Sequence, residues 1–317
     1  MKNNYKYIKA GTVLGAILLL SGCGGGGGGG SSAAVTQTTF TDWSSIVKPT
    51  QVNLEGIATD ISYVTDAGVT KIASITDHGY YNSATANVTY RADSTISKLN
   101  FDTYNGAVTF DEDATTDTIG NINIQGAGVV YGYDAAGSKF IISADPLDSA
   151  NNWNYQTYGI WETGRGTGSG TAGAVSVGSV TLGSSIPTSG SATYTGHFGG
   201  AASDVNGVDW LTTGDASVGV NFATRSLDFA TTNSKYTSPV ASSSPSWASA
   251  SSLNMTGTLT YSDATNHFNG TVTDGYAGSG AVNGKFYGPN AEEIGGVFSL
   301  GTYPSTRFHA GAFGGKR

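Results

Sequence analysis

The lone cysteine, Cys23, is the side chain whose chemistry is simplest to name. It ends the run Leu20-Ser21-Gly22-Cys23, after an apolar stretch from Gly11 to Leu20 that Lys2, Lys6 and Lys9 precede. A charged start followed by about ten apolar residues describes a secretory signal peptide, too short to span a bilayer as a helix. The closing four residues resemble a lipobox, in which the thiol is the nucleophile for a lipid donor and small neighbours suit a signal peptidase. The expectation is removal of residues 1–22, with Cys23 as the diacylglycerol and N-acyl attachment point. With that thiol acylated, none is left for a disulfide, a thiolate metal site or a cysteine nucleophile.

Other chemistry-bearing residues are sparse. The chain has no Gly-x-Ser-x-Gly elbow, phosphate loop or His-Glu-x-x-His pair. Four histidines, His78, His197, His267 and His309, lie far apart without metal-ligand spacing, as expected for polar strand faces or turns. The acidic run Asp111-Glu112-Asp113 with Asp117 offers hard oxygen ligands of the kind calcium favours. A calcium loop starting at Asp111 would need glycine where Thr116 stands and glutamate where Ile122 stands, so a turn between strands is the better reading. Tyr80-Tyr81, Tyr236 and Trp247 are candidate aromatic anchors for a protein ligand, with strand-end packing as their alternative use. No catalytic residue, metal ligand or resident cofactor emerges, and the ligand-binding residues stay unassigned.

What would hold such residues is a β protein. Gly24–Gly30, Ser31 and Ser32 make a flexible linker of nine residues, spanning roughly 15–18 Å. Gly24, where an aspartate would retain an enterobacterial lipoprotein at the inner membrane, favours the outer membrane. Without its signal the chain carries 12 Lys+Arg against 23 Asp+Glu, a net charge of −11 that disfavours nucleic acid and anionic membrane surfaces. Beyond the linker no amphipathic helix of ten residues emerges, and large and very small residues alternate with period two. Ala192, Tyr194, Gly196 and Phe198 share one face; so do Val282, Gly284 and Phe286, and Ile294, Gly296, Phe298 and Leu300. Glycine on an inward face lets a strand bend or an aromatic ring cross it. Turn residues at 263–266, 274–278 and 288–290 separate these runs, as antiparallel hairpins require.

Strands are predicted near 155–164, 190–199, 209–222, 225–231, 253–262, 267–274, 279–287, 292–301 and 306–315. Nine candidates exceed an eight-stranded closed barrel by one, so one is a flanking or merged strand. Closure removes exposed sheet edges. The stretch 231–252 is the longest predicted loop. Residues 36–150 alternate less regularly (Ala86, Val88, Tyr90; Ser97, Leu99, Phe101) and read as a smaller β-rich domain before a barrel over 151–317.

The run Gly284-Lys285-Phe286-Tyr287-Gly288-Pro289-Asn290-Ala291-Glu292-Glu293-Ile294-Gly295-Gly296-Val297-Phe298 resembles the last barrel hairpin of the transferrin-binding protein B family. The ending Gly311-Ala312-Phe313-Gly314-Gly315-Lys316-Arg317 is similar to that family's C-terminus, and 155–161 and 186–196 are weaker echoes. The resemblance implies one handle-plus-barrel lobe on an outer-membrane, surface-exposed lipoprotein. It implies a protein or haem ligand (an iron carrier, haemoglobin, haem or another host protein) and export by an outer-membrane translocon. The matching residues build the barrel, so they carry no binding residue with them. A small-solute-binding lipoprotein and a structural or adhesive surface module remain the alternatives.

Overall fold

The computed structural model describes residues 42–65, 72–124, 127–148, 151–203, 209–237, 246–301 and 307–317. Cys23, the signal stretch and the glycine linker lie outside the described residues. The described chain is all β, in two nine-stranded antiparallel sheets.

The first sheet contains β1 (Thr50–Thr65), β2 (Ile72–Tyr90), β3 (Ile96–Thr103), β4 (Gly106–Asp111), β5 (Thr118–Ile124), β6 (Ala127–Tyr133), β7 (Lys139–Ala144), β8 (Gln156–Thr163) and β9 (Ser169–Gly178). Its order is β4-β3-β2-β1-β9-β8-β7-β6-β5, leaving β4 and β5 as edges. The alternating residues do what their pattern requires: Ala86, Val88, Tyr90, Leu99 and Phe101 are buried in its core with Phe110 and Ile141. The sheet curls until the edge strands approach, and side chains bridge the gap. Lys139 Nζ donates to Thr109 O at 2.6 Å and pairs with Asp117 at 2.9 Å, while Glu112 Oε1 accepts from Ile119 N at 2.7 Å.

The second sheet contains β10 (Ser191–Ser203), β11 (Asp209–Asn221), β12 (Ser226–Thr237), β13 (Ala248–Ser249), β14 (Thr256–Tyr261), β15 (Phe268–Thr273), β16 (Ser279–Tyr287), β17 (Glu293–Leu300) and β18 (Phe308–Lys316). The order β11-β10-β18-β17-β16-β15-β14-β12 is closed by the β11–β12 pairing into an eight-stranded barrel, with two-residue β13 as an appendage. Tyr194, Phe198, Phe229, Phe268, Phe286, Phe298 and Phe313 fill its interior and are almost completely buried. Inward glycines make the room. A Cβ on Gly284 would run into the ring of Phe268, and one on Gly311 would come within 2.6 Å of Phe298 Cζ.

Two expectations are corrected. The strand predicted near 155–164 is β8 and pairs in the first sheet, not in the barrel. The sheets therefore change over between Gly178 and Ser191, far from residue 150, and the first sheet has as many strands as the second. In addition, β12 continues to Thr237, so Tyr236 sits on a strand rather than in the predicted 231–252 loop. Thr, Ser and Asn there still pair with β11, because a polar outer face does not interrupt a backbone ladder.

The two sheets share a buried, hydrogen-bonded seam. Val297 and Ala312 of the barrel are packed in the core of the first sheet. Gln156 Nε2 donates to Ile294 O at 2.8 Å, and Tyr287 OH donates to Ser176 O at 2.8 Å. Glu293, 1 % exposed, accepts from Asn154 N at 2.6 Å and Tyr155 N at 3.0 Å. Burial pushes its carboxyl up to about 7, against the opposing pull of those backbone N–H groups and Lys316.

Candidate functional site

Strand alternation brings the last residues of β10, β12, β15 and β17 and the first residues of β11, β14, β16 and β18 to one end of the barrel. Described side chains there form an aromatic cluster. Trp210 and Tyr236 have ring centroids 5.0 Å apart, Trp210 and Tyr276 5.8 Å, and the Arg307 guanidinium lies 5.4 Å from the Tyr276 ring. All three rings are partly exposed. Such a surface suits protein recognition: large, stiff, amphipathic groups with a cation at their margin.

Beneath the cluster a polar core fixes the β15–β16 turn. Asp274 Oδ1 accepts from Tyr276 N at 2.9 Å and Ala277 N at 2.6 Å, and Tyr276 OH donates to Ser203 O at 2.9 Å. Asp274 Oδ2 lies 3.0 Å from His309 Nδ1, and His309 Nε2 lies 3.2 Å from Thr212 Oγ1. Burial pushes Asp274 up, but the His309 hydrogen bond and charge, with the backbone donors, outweigh it and hold the carboxyl below its usual range. A hydroxyl, an imidazole and a carboxylate in line suggest nucleophilic catalysis. However, the His309 and Asp274 side chains have no exposed surface and Thr212 is 3 % exposed, so no substrate reaches the hydroxyl. The trio positions the turn.

His309 thus departs from the expected polar strand face, because Asp274, 35 residues away, compensates its burial inside the barrel. The other histidines lie on polar faces or turns. His78 is hydrogen-bonded to Ser62 at 2.8 Å and stacks on Tyr104. His267, in the β14–β15 connection, is 3.3 Å from Asn283 and stacks on Tyr80. His197 pairs with Asp215 at 3.2 Å on the outer barrel wall.

The acidic run forms the turn after β4, and its carboxylates hold cations of the protein itself. Asp111 pairs with Lys98, Glu112 and Asp113 with Arg91, and Asp117 with Lys139. Among the aromatic candidates, Tyr236 joins the end cluster and Tyr80 is exposed beside His267, whereas Tyr81 packs against the first sheet's core. Trp247 lines a groove of about 550 Å³ between the sheets. Its handle-side wall includes Val129, Ile142 and Ile160, and its barrel-side wall includes His197, Gly199, Asp215 and Lys235. No local sequence pattern marks this groove, because its walls come from strands of two different sheets.

Residues 186–317 match the family of C-lobe and N-lobe β-barrels of Tf-binding protein B, that is, transferrin-binding protein B. The barrel is of the transferrin-binding protein B type. Similar solved structures include a transferrin-binding protein B point mutant from Haemophilus parasuis, at 12 % identity, 84 % and 76 % coverage of this chain and that one, and a TM-score of 0.42. The isotype 1 transferrin-binding protein B from serogroup B Neisseria meningitidis aligns at 14 % identity, 85 % and 77 % coverage, and a TM-score of 0.37. A transferrin-binding protein B mutant from Actinobacillus pleuropneumoniae aligns at 14 % identity, 82 % and 98 % coverage, and a TM-score of 0.36. No curated protein matches. The family match begins after β9, so the echo at 155–161 falls outside it.

Proposed function

We propose that this chain is a non-enzymatic capture lipoprotein, anchored through acylated Cys23 in the outer membrane with its folded part at the cell surface. Its ligand is a host protein that carries iron, such as transferrin or haemoglobin, and the transferrin-binding protein B-type barrel over 186–317 is the observation that carries this reading. The loop end of the barrel is the docking surface, with Trp210, Tyr236 and Tyr276 as anchors and Arg307 at their edge. The polar trio beneath keeps the Tyr276 turn in one shape, which lowers the ordering cost of binding. With a net charge of −11, affinity comes from these aromatics more than from bulk electrostatics. Passage to the surface requires an outer-membrane translocon that accepts the folded or folding barrel.

Immobilised full-length chain, presented with host transferrins and haemoglobin, is the direct test. Saturable binding of one of them, weakened at least tenfold by Trp210→Ala with Tyr276→Ala, is the expected result. Failure to bind any such carrier would overturn the iron-carrier assignment. Cell fractionation with Cys23→Ser tests the anchor separately: the folded part should leave the outer-membrane fraction.

A further inference from the structure

We propose that the groove between the two sheets binds a neutral oligosaccharide, its hydroxyls held by a polar row on the barrel wall and its C–H faces by the first sheet. The row crosses three strands. His197 on β10 stands opposite Asp215 on β11, with Nδ1 3.2 Å from Asp215 Oδ1, and Asp215 Oδ2 accepts from Asn233 Nδ2 on β12 at 2.6 Å. Asn233 reaches that position because β12 bulges. Thr213 pairs with Lys235 and Asp215 with Thr232, so Asn233 and Ser234 together oppose Gly214. Bulges re-aim side chains beside functional sites in this way. A carboxylate, an amide and an imidazole in one row offer both donors and acceptors, as the neighbouring hydroxyls of a sugar require.

Hydrogen-bonding capacity is left over along the row. Among the described residues, His197 Nε2 and Asn233 Oδ1 have no hydrogen-bond partner. Ser234 also lines the groove, and its hydroxyl, in a residue 2 % exposed, has none either. A buried hydroxyl without a partner is costly, and a ligand hydroxyl would supply one. Facing the row, Val129, Ile142 and Ile160 present an apolar floor, with the Trp247 indole at the margin. The C–H face of a sugar ring packs on such groups while its hydroxyls turn to the polar wall. Charge narrows the class further. Among the described lining residues, Asp215 and Lys235 carry the formal charges and offset each other, so the groove is near neutral in an acidic chain. Its volume of about 550 Å³ lies within the range of small-ligand pockets. The site uses none of the loop-end aromatics, so the inference stands or falls independently of protein capture.

The test is an array of neutral oligosaccharides probed with the full chain in a detergent that has no sugar head group. Calorimetric titration with the strongest binder follows. Saturable one-to-one binding is expected. Asp215→Ala removes the acceptor at the middle of the row and should weaken binding roughly tenfold or more, as losing a charge-assisted hydrogen bond does. Gly199→Trp should block the groove without disturbing the fold, since a Cβ there meets nothing within 4 Å. A glycoprotein carrying the same glycan, with and without glycosidase treatment, separates the two sources of such a ligand. Binding of the free sugar supports a solute site, and binding confined to the untreated glycoprotein supports recognition of a protein-borne glycan in the same groove. A silent array together with no glycosidase-sensitive binding, or binding that survives both Asp215→Ala and Gly199→Trp unchanged, would overturn the proposal.

Discussion

The two sheets have equal numbers of strands but solve the edge problem differently. The barrel closes on itself through backbone hydrogen bonds between β11 and β12, so every one of its eight main strands has two neighbours. The first sheet curls and stops short, and Lys139, Asp117 and Glu112 bridge its edges with side chains. A backbone closure is indifferent to side-chain identity and charge, whereas a side-chain closure depends on both. The barrel should therefore fail through its packing and the first sheet through its ion pairs.

The sharpest way to break that comparison is Phe286→Ala. Phe286 has no exposed surface and its ring touches those of Tyr194, Phe222, Tyr261 and Phe268. Removing a buried phenyl ring and leaving its cavity costs roughly 3–5 kcal/mol. Denaturant unfolding should show a loss of that size, and hydrogen exchange should rise through all eight barrel strands together. Exchange confined to β16 would mean that closure does not make the barrel one cooperative unit.

The same contrast explains what could be read from the residues alone. Tyr194, Phe198, Val282, Phe286 and Phe298 alternate with outward polar residues because one barrel face is dry and the other wet, and the strand positions follow. In β8, all residues from Gln156 to Glu162 are buried, since the strand lies between the first sheet's own core and the barrel. A strand buried on both faces has no alternation to reveal its sheet. For that reason the sequence pattern alone assigns it to the barrel and puts the boundary near 150. The site was less legible for a related reason. His197 shows its polar face beside Thr193 and Thr195, but its partner Asp215 is fixed only by the β10–β11 register. The buried Asp274–His309 pair joins residues on different hairpins, which no local spacing encodes.

The seam between the sheets provides the second prediction. Burial holds the Glu293 carboxyl at about 7, above its ordinary 4.5, so the folded chain keeps a proton that the unfolded chain has released. Stability should therefore be greatest below about pH 4.5 for this group and fall as pH rises through 7, by about 3 kcal/mol in total. Carboxylates held below their usual range, such as Asp111, Asp117 and Asp274, act in the opposite sense but at lower pH. Chemical denaturation between pH 5 and 8 measures the slope, and Glu293→Gln should flatten it. An unchanged slope in the variant would assign the pH dependence to other buried acids, such as Glu162.

The smallest effects belong to the stitched edge, and their ranking is the finest test of side-chain closure. Lys139 is largely covered, lies 4.7 Å from the Phe110 ring centroid, and faces an Asp117 side chain that is 4 % exposed. Lys139→Ala strands that carboxylate, and a loss of about 2 kcal/mol is expected, below the 3–5 kcal/mol of a fully buried pair because the lysine is partly wet. Arg91 holds Glu112 and Asp113 in a more open setting, and Arg91→Ala should cost under about 1 kcal/mol. Hydrogen exchange localises the difference: Lys139→Ala should loosen β4 and β5 and leave β11 and β12 protected. Equal loosening of both sheets would show that the seam transmits edge strain, and the two closures would then be one mechanical system.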